Sequence, residues 1–318
     1  MKSQLKNIFF VLIGLSLFAF ALTKVEPLGL WEELKKARLI WILLAIFSGV
    51  LSHVIRAVRW NQLLIPLGYK VTFLNAFASV MAAYVVNYAI PRSGEVLRCG
   101  MLHRSDRVPI QKSLGTVLIE RFVDLLALTL ITLLILLRQF GIIQEFFRAN
   151  GTNKPPLIFL AIGFVALLIG YAFWKKKAKD FEHPLLIKII QFLSGLQDGV
   201  RSISKLKNPT LFIGYSFLIW VGYFLSSYFT LFALEGTSNL GFDAALTILF
   251  TGSVAVIITP GGTGAFHLMV AKALVLYGIK DQTIGLAYST LTHTAQMIGI
   301  FSFGLISYIL FLLKQKRN

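Results

Sequence analysis

The 318-residue chain has few cysteines, few acidic residues and few charged residues overall. Its one cysteine, Cys99, excludes an intramolecular disulfide framework and a thiolate metal cluster. Charged residues make up 14% of the chain, too few for the surface of an ordinary soluble protein. The 14 acidic residues stand against 31 Lys and Arg, which gives a formal net charge of +17. An excess of this size requires an anionic partner.

Apolar residues are abundant instead. They form 56% of the chain and give a mean hydropathy of +0.75, which indicates an integral membrane protein. Because the basic residues lie between apolar segments, anionic lipid headgroups suit them better than nucleic acid. Six segments are long enough to cross a hydrocarbon core of about 30 Å. They are residues 7–23, 39–55, 113–137, 156–174, 211–234 and 285–312. The first of them resembles a signal peptide, but we interpret it as a retained helix.

Two further apolar stretches, residues 71–90 and 242–259, each run into a proline followed by glycines. The segment that follows the second, 264–278, would be only about 22 Å long as a helix, too short for a full span. We therefore expect an all-α polytopic membrane protein with about six full transmembrane helices and two re-entrant helical hairpins in an inverted repeat. The pseudo-repeats fall at roughly 1–137 and 156–312 of a single domain, 1–318. Residues 71–90 either cross or re-enter.

The distribution of basic residues predicts the orientation. Residues 175–208 contain eight Lys or Arg and 236–241 contain none, so the positive-inside rule puts the former in the cytoplasm. Counting back through the spans puts 91–112 on the same side. The C-terminal "KQKRN" belongs on that side too, whereas the basic residues of the first seventy positions do not decide where the N-terminus lies. The inverted repeat favours a cytoplasmic N-terminus, so we expect both termini in the cytoplasm.

The stretch "NYAIPRSGEVLR", residues 87–98, ends one of these apolar stretches and is a candidate lipid headgroup site. Pro91 lacks a backbone N–H and Gly94 tolerates unusual geometry, so the helix breaks there. Broken backbone at membrane depth occurs where it is buried in protein or lines a wet cavity. The helix N-terminus beyond the break, with Arg92 and Arg98, would suit a phosphate. The alternative is an ordinary basic cytoplasmic loop.

The "ERFVD" motif places charge inside the span 113–137. An ionised group there costs a few kcal/mol or more and needs a partner. Glu120 and Asp124 are four residues apart and share one helical face. Arg121 could pair with Glu95 or with a lipid phosphate. The alternative is a network of ion pairs that only holds helices together.

Two other groups of polar residues lie near or within apolar segments. In "RAVRW", Arg56 and Arg59 share a face at the end of a span. They could be interface anchors or headgroup ligands, and Trp60 is suited to the membrane interface. Histidines in apolar segments are interpreted as satisfied polar groups or proton carriers, and their spacing predicts no metal site. They are His53, His267 and His293.

Four motifs together, "RAVRW", "NYAIPRSGEVLR", "ERFVDLLAL" and "TPGGTGAFH", resemble the flippase-like transmembrane region found in lysylphosphatidylglycerol synthases and in stand-alone bacterial and archaeal membrane proteins. The resemblance implies a helical domain of the plasma membrane that moves a lipid between leaflets. The chain departs from this family at His267, where members often have glutamate, and in lacking the soluble aminoacyl transferase domain. The matching positions are Arg56, Arg59, Asn87, Pro91, Gly94, Glu95, Arg98, Glu120, Arg121, Asp124, Pro260, Gly261, Gly262 and Gly264.

We therefore expect a lipid translocase, not an enzyme, for an anionic, aminoacylated or polyprenyl-phosphate lipid, with no cofactor and no metal. The alternative is an accessory membrane subunit of a separately encoded lipid-modifying or glycosyl-transferring enzyme, docked through residues 175–208. The expected headgroup ligands are Arg56, Arg59, Asn87, Arg92, Arg98 and Arg121. Charge balance or proton coupling is expected from Glu95, Glu120, Asp124 and His267. Helix breaks are expected at Pro91, Gly94, Pro260, Gly261, Gly262 and Gly264.

Overall fold

The computed structural model describes residues 16–23, 25–90, 93–149 and 202–317, which form α-helices joined by short turns. The all-α prediction is confirmed for these residues. The predicted span 156–174, most of 175–208 and the first part of 7–23 lie outside them. Residues 16–22 are helical, and the later helices are α1 (Pro27–Lys35), α2 (Leu39–Leu64), α3 (Phe73–Ala89), α4 (Gly94–Asp106), α5 (Ile110–Ala149), α6 (Pro209–Leu231), α7 (Phe242–Ile258), α8 (Ala265–Leu274) and α9 (Gln282–Arg317).

Local sequence explains where several helices begin and end. Proline occupies the first position of α1 and of α6, where its missing N–H leaves no helical hydrogen bond unmade. The Thr72 hydroxyl accepts a hydrogen bond from the Asn75 N–H and caps α3. Both α2 and α8 end in a single 3-10 turn followed by a glycine with positive φ, 89° at Gly68 and 86° at Gly278.

Three described segments are long and apolar enough to cross a membrane: Leu39–Leu67, Pro209–Leu231 and Gln282–Gln315. Large apolar side chains are exposed along them and along α5, as expected for helices that face lipid. The described chain is therefore consistent with a polytopic membrane protein, with fewer clear spans than the six expected from sequence.

Two helical hairpins form where the sequence predicted interrupted segments. Hairpin 1 (α3 and α4, residues 73–106) and hairpin 2 (α7 and α8, residues 242–274) each pack a 17-residue helix against a shorter one. The first helices are about 26 Å long, whereas α4 is about 20 Å and α8 about 15 Å. The second helix of each hairpin is thus too short to cross a hydrocarbon core of about 30 Å.

The α2–α6 contact joins the two halves of the described chain, and it is the most extensive helix contact. Small residues allow the close approach: a Cβ added at Gly222 of α6 would lie 2.1 Å from the Ser52 Oγ of α2. One hydrophobic core cluster lies mainly among α2–α5, and another lies mainly among α6–α9.

Candidate functional site

Five charged side chains from three helices form one continuous ion-pair network. Arg56 Nη1 donates to Asp124 Oδ2 at 2.7 Å, so α2 is tied to α5. Arg59 Nη2 lies 3.3 Å from Glu120 Oε1 and 3.1 Å from Asp124 Oδ1. Arg98 Nη2 of hairpin 1 donates to Glu120 Oε2 at 2.6 Å. Glu120 and Asp124 therefore share Arg59 as a partner, as their spacing on one helical face allows.

The network is almost completely removed from solvent. The side chains of Arg59 and Glu120 are 0% exposed, and that of Asp124 is 12% exposed. Charges buried this deeply persist only when they are paired and hydrogen-bonded. Three arginines face two carboxylates, which leaves one excess positive charge, and the three arginine Nε groups are buried without a partner in the described part of the chain. The site can thus offer positive charge and hydrogen-bond donors to an anion.

Trp60 packs against Arg98, the residue through which hairpin 1 joins the network. Its ring lies under the Arg98 guanidinium, with 4.5 Å between the guanidinium carbon and the ring centroid. The indole N–H donates to Thr116 Oγ1 at 2.8 Å. Trp60 is 0% exposed, so its ring packs inside the protein and does not face lipid headgroups. The hydroxyl of Thr116 satisfies the indole N–H, so the ring can be buried completely.

Neutral hydroxyl groups complete the network, and sequence reasoning missed them. Ser216 Oγ accepts from Arg59 Nη1 at 3.0 Å, and Tyr223 OH accepts from Arg56 Nη2 at 3.3 Å. Tyr84 OH of hairpin 1 lies 3.3 Å from Tyr223 OH. These residues carry no charge that would mark them within an apolar span. The only available signal was that two hydroxyls of α6 are seven residues apart and so share a face.

Arg121 lies outside the buried core of the network. Its side chain is 45% exposed, and its nearest carboxylate oxygen is Asp124 Oδ2, at 3.6 Å. It does not pair with Glu95, which was one of its two expected partners. Glu95, in the first turn of α4, has a buried Oε2 with no hydrogen-bond partner in the described residues. Arg121 is thus the arginine of this site that a membrane lipid can reach most directly.

The turn of hairpin 1 is held by Asn87 and by a close backbone approach. Asn87 Oδ1 accepts from the Gly94 N–H at 2.9 Å. A Cβ added at Gly94 would lie 2.1 Å from the Ala83 carbonyl oxygen, so no other residue fits there without moving backbone. Pro91 and Arg92 lie outside the described residues.

The turn of hairpin 2 meets hairpin 1 directly. A Cβ added at Gly261 would lie 2.2 Å from Tyr88 Cδ1, one turn before the break in hairpin 1. Gly261, Gly262 and Gly264 all have positive φ, from 58° to 80°, and Pro260 begins the 3-10 turn between α7 and α8. The predicted helix break at 260–264 is confirmed, and the ends of the two hairpins lie together.

Two histidines lie beside this contact. His293 of α9 donates from Nε2 to the Gly261 carbonyl at 2.8 Å. The His267 ring lies 4.9 Å from the His293 ring and 4.5 Å from Phe18, and its Nδ1 is buried without a partner in the described chain. In the described residues, no three His, Cys, Asp or Glu side chains come together as a metal site. His293 is satisfied by backbone, whereas His267 retains unused hydrogen-bonding capacity.

Comparison with known proteins identifies a family and several relatives of the chain. A family model described as the lysylphosphatidylglycerol synthase TM region matches residues 7–304. The chain belongs to this family. A UPF0104 membrane protein of Methanothermobacter thermautotrophicus is 22% identical over 82% of both chains. A UPF0104 membrane protein of Pyrococcus horikoshii is 24% identical over 87% of this chain and 89% of its own length. No solved structure matches.

The match to the family model covers nearly the whole chain. The expected resemblance is therefore confirmed, and a lipid-related role within the membrane fits the family description. Residues of the network and of both hairpin turns fall within the matched range.

Proposed function

We propose that the chain is a lipid translocase that moves a phosphate-bearing lipid between the leaflets of the plasma membrane. The observation that best supports this proposal is the buried, net-positive ion-pair network, which includes Arg98, about one turn beyond the break in hairpin 1. The lipid class is anionic, aminoacylated or polyprenyl-phosphate. Its headgroup would enter the polar interior while its acyl chains stay in the bilayer.

We further propose that the fold is an inverted repeat of six spans and two re-entrant hairpins. In each half, a 17-residue helix, a break and a short helix precede a long helix, which is kinked at Gln139 in α5. The long helices contact the opposite hairpins: α5 lies against α7, and α9 lies against α3. Such an arrangement is common in transporters that build a midplane site from broken helices. Cytoplasmic termini belong to the same proposal.

Headgroup binding would proceed by exchange of partners. A lipid phosphate would first meet Arg121, which is half-exposed, and then compete with Asp124 for Arg56. Arginine suits this exchange because its planar fork binds a carboxylate and a phosphate alike. Arg59, Arg98, Asn87 and Arg92 complete the proposed headgroup set, and Glu95, Glu120, Asp124 and His267 would balance charge or carry protons.

Liposome reconstitution tests this function. The purified chain is reconstituted with fluorescent phosphatidylglycerol, and the fraction of label accessible to an external quencher is followed with time. We expect exchange between leaflets without any added enzyme. Lysylphosphatidylglycerol and a polyprenyl phosphate are assayed in parallel, and failure of all three would contradict the proposal.

One helix offers a matched pair of variants for this assay. Arg121 and Arg138 both lie on α5, with side chains 45% and 50% exposed, and each is near one aspartate. Arg121→Ala should slow exchange several-fold, because the first phosphate contact is lost. Arg138→Ala should leave exchange unchanged, because Arg138 is bonded to Asp243 away from the network. Equal loss in both would argue against a headgroup role for Arg121.

The alternative role as an accessory subunit rests on residues 175–208, most of which lie outside the described chain. Product formation by the purified chain with a lipid substrate would instead favour an enzyme. We propose a transporter because the described charges are arranged to bind an anion.

A further inference from the structure

The short helix α1, residues Pro27–Lys35, has two distinct faces. It follows the helical residues 16–22 and is separated by three residues from α2, which begins at Leu39. Three residues span at most about 11 Å. Because α2 is long and apolar enough to cross a membrane, α1 must lie close to the membrane surface.

One face of α1 packs on the protein. Leu30 is buried in the core cluster around α6–α9, and Leu34 packs against the same cluster. Gly29 lies against α9: a Cβ added there would be 3.6 Å from the Thr283 methyl carbon. This face fixes the helix in place, so the exposure of the other face does not come from loose attachment.

The other face exposes large apolar side chains. Leu28 is 76% exposed and Trp31 is 56% exposed, one turn apart on the same side of the helix. A tryptophan and a leucine presented together to water would be unfavourable, because their apolar area would remain hydrated. Trp side chains are enriched where a membrane meets water, because the ring is apolar and its N–H is polar.

The charges around this face are arranged for a partly apolar medium. Lys35 Nζ lies 3.1 Å from Glu32 Oε1, and Lys36 Nζ lies 3.3 Å from Glu33 Oε1. The Lys35 ammonium also lies 5.4 Å from the centroid of the Trp31 ring. Pairing within one turn neutralises these charges, and a long lysine side chain beside Trp31 can reach toward water from an immersed backbone.

Neighbouring aromatic residues lie at the same end of the molecule. The Arg38 N–H, just after α1, donates to the Ala233 carbonyl at the end of α6 at 2.8 Å. There Trp41 and Phe232 rings lie 5.0 Å apart, and Tyr228 and Phe232 rings 4.9 Å apart. Aromatic residues gathered at one level are typical of the membrane interface.

We propose that α1 is an interfacial helix that lies in the plane of the membrane and inserts Leu28 and Trp31 between lipid headgroups. Its partner is the bilayer surface itself, not another protein. Because Gly29 contacts Thr283 at the start of α9, the end of hairpin 2 lies at the same level. The proposal therefore identifies the membrane face at which hairpin 2 ends and α9 begins, and it does not depend on lipid transport.

Site-directed spin labelling tests this placement. Cys99, the single cysteine, is replaced by alanine, and one cysteine is introduced in each of three variants, Leu28→Cys, Trp31→Cys and Lys36→Cys. The labelled full-length chain is reconstituted in phosphatidylglycerol-containing vesicles. Collisions of the label with oxygen, which concentrates in lipid, are compared with collisions with a water-soluble nickel chelate.

We expect labels at 28 and 31 to show a several-fold higher oxygen-to-nickel ratio than the label at 36, which serves as the matched control. A ratio at 28 and 31 equal to that at 36 would show a helix in water and overturn the proposal. Protection of 28 and 31 from both reagents would show a protein partner on this face and would also overturn it. A thermal unfolding midpoint equal to that of the unlabelled parent chain would show that each variant is folded, independently of either outcome.

Discussion

Hairpins 1 and 2 have first helices of equal length, 17 residues, but they are held in place by different forces. Hairpin 1 is fixed by charge, because Arg98 is paired with buried Glu120. The turn of hairpin 2, residues 259–267, contains no Asp, Glu, Lys or Arg and is shaped by three glycines with positive φ. One architecture thus uses electrostatics on one side and backbone conformation on the other, and substitutions should separate the two.

The largest effect is expected at the charge of hairpin 1. Glu120→Ala leaves Arg59 and Arg98 buried with one partner fewer, which should reduce stability by about 3–5 kcal/mol. Thermal unfolding of the detergent-solubilised protein measures this loss. Thr259→Val in hairpin 2 is the control, since the Thr259 hydroxyl is buried without a partner and should be dispensable. An unchanged melting temperature for Glu120→Ala would refute the electrostatic account.

The next effect is expected at the glycine of hairpin 2 that touches hairpin 1. Gly261→Ala forces φ of 58° on a residue with a Cβ, at about 1–2 kcal/mol, and drives that Cβ into Tyr88, at about 1–3 kcal/mol. Gly262→Ala has the same backbone problem but a nearest contact of 3.1 Å, so it should be milder. Tyr88→Ala should rescue part of the Gly261→Ala loss; if it does not, the two hairpins do not meet there.

A smaller effect is expected at His293, which supports the hairpin 2 turn without charge. His293→Phe leaves the Gly261 carbonyl without its donor, at about 1–3 kcal/mol. Thr290→Val on the same helix is the control, because the Thr290 hydroxyl has no described partner. Unfolding midpoints of the two variants give the comparison. A loss as large as that of Glu120→Ala would contradict the expectation that this neutral hydrogen bond contributes less than the buried ion pairs of hairpin 1.

The smallest effect is expected at Arg138, where α5 meets the first turn of hairpin 2. Arg138 Nε donates to Asp243 Oδ1 at 2.7 Å, but both side chains are substantially exposed. Arg138→Ala should therefore lower stability only slightly, and less at high salt. Tyr277→Phe should have more effect, because its hydroxyl bonds the Gln139 side chain and the Asp243 carbonyl. The reverse order would show that the exposed ion pair dominates this contact.

Sequence patterns predicted the helices and hairpins well, because hydrophobic length and Pro-Gly breaks are local properties. Residues 71–90 and 242–259 correspond closely to α3 and α7. The position of Glu120 and Asp124 on one face of α5 also followed from helical spacing alone. Burial in a low-polarity interior then required basic partners, although the sequence alone did not identify them.

Partner choice between distant helices was not predictable from one sequence. Arg56 and Arg59 lie near the end of a span, a position typical of interface anchors. They instead form buried ion pairs with the two carboxylates of α5. Ser216 and Tyr223 bind these arginines from a helix more than 150 residues away in sequence. Their hydroxyls carry no local signature, because serine and tyrosine occur throughout apolar helices.

The close approach of Gly222 to Ser52 limits how the two halves of the protein can move. Lipid chains cannot pass between α2 and α6 where the helices approach to within van der Waals contact. If the two halves move relative to each other, this contact favours rotation about the α2–α6 line over separation along it.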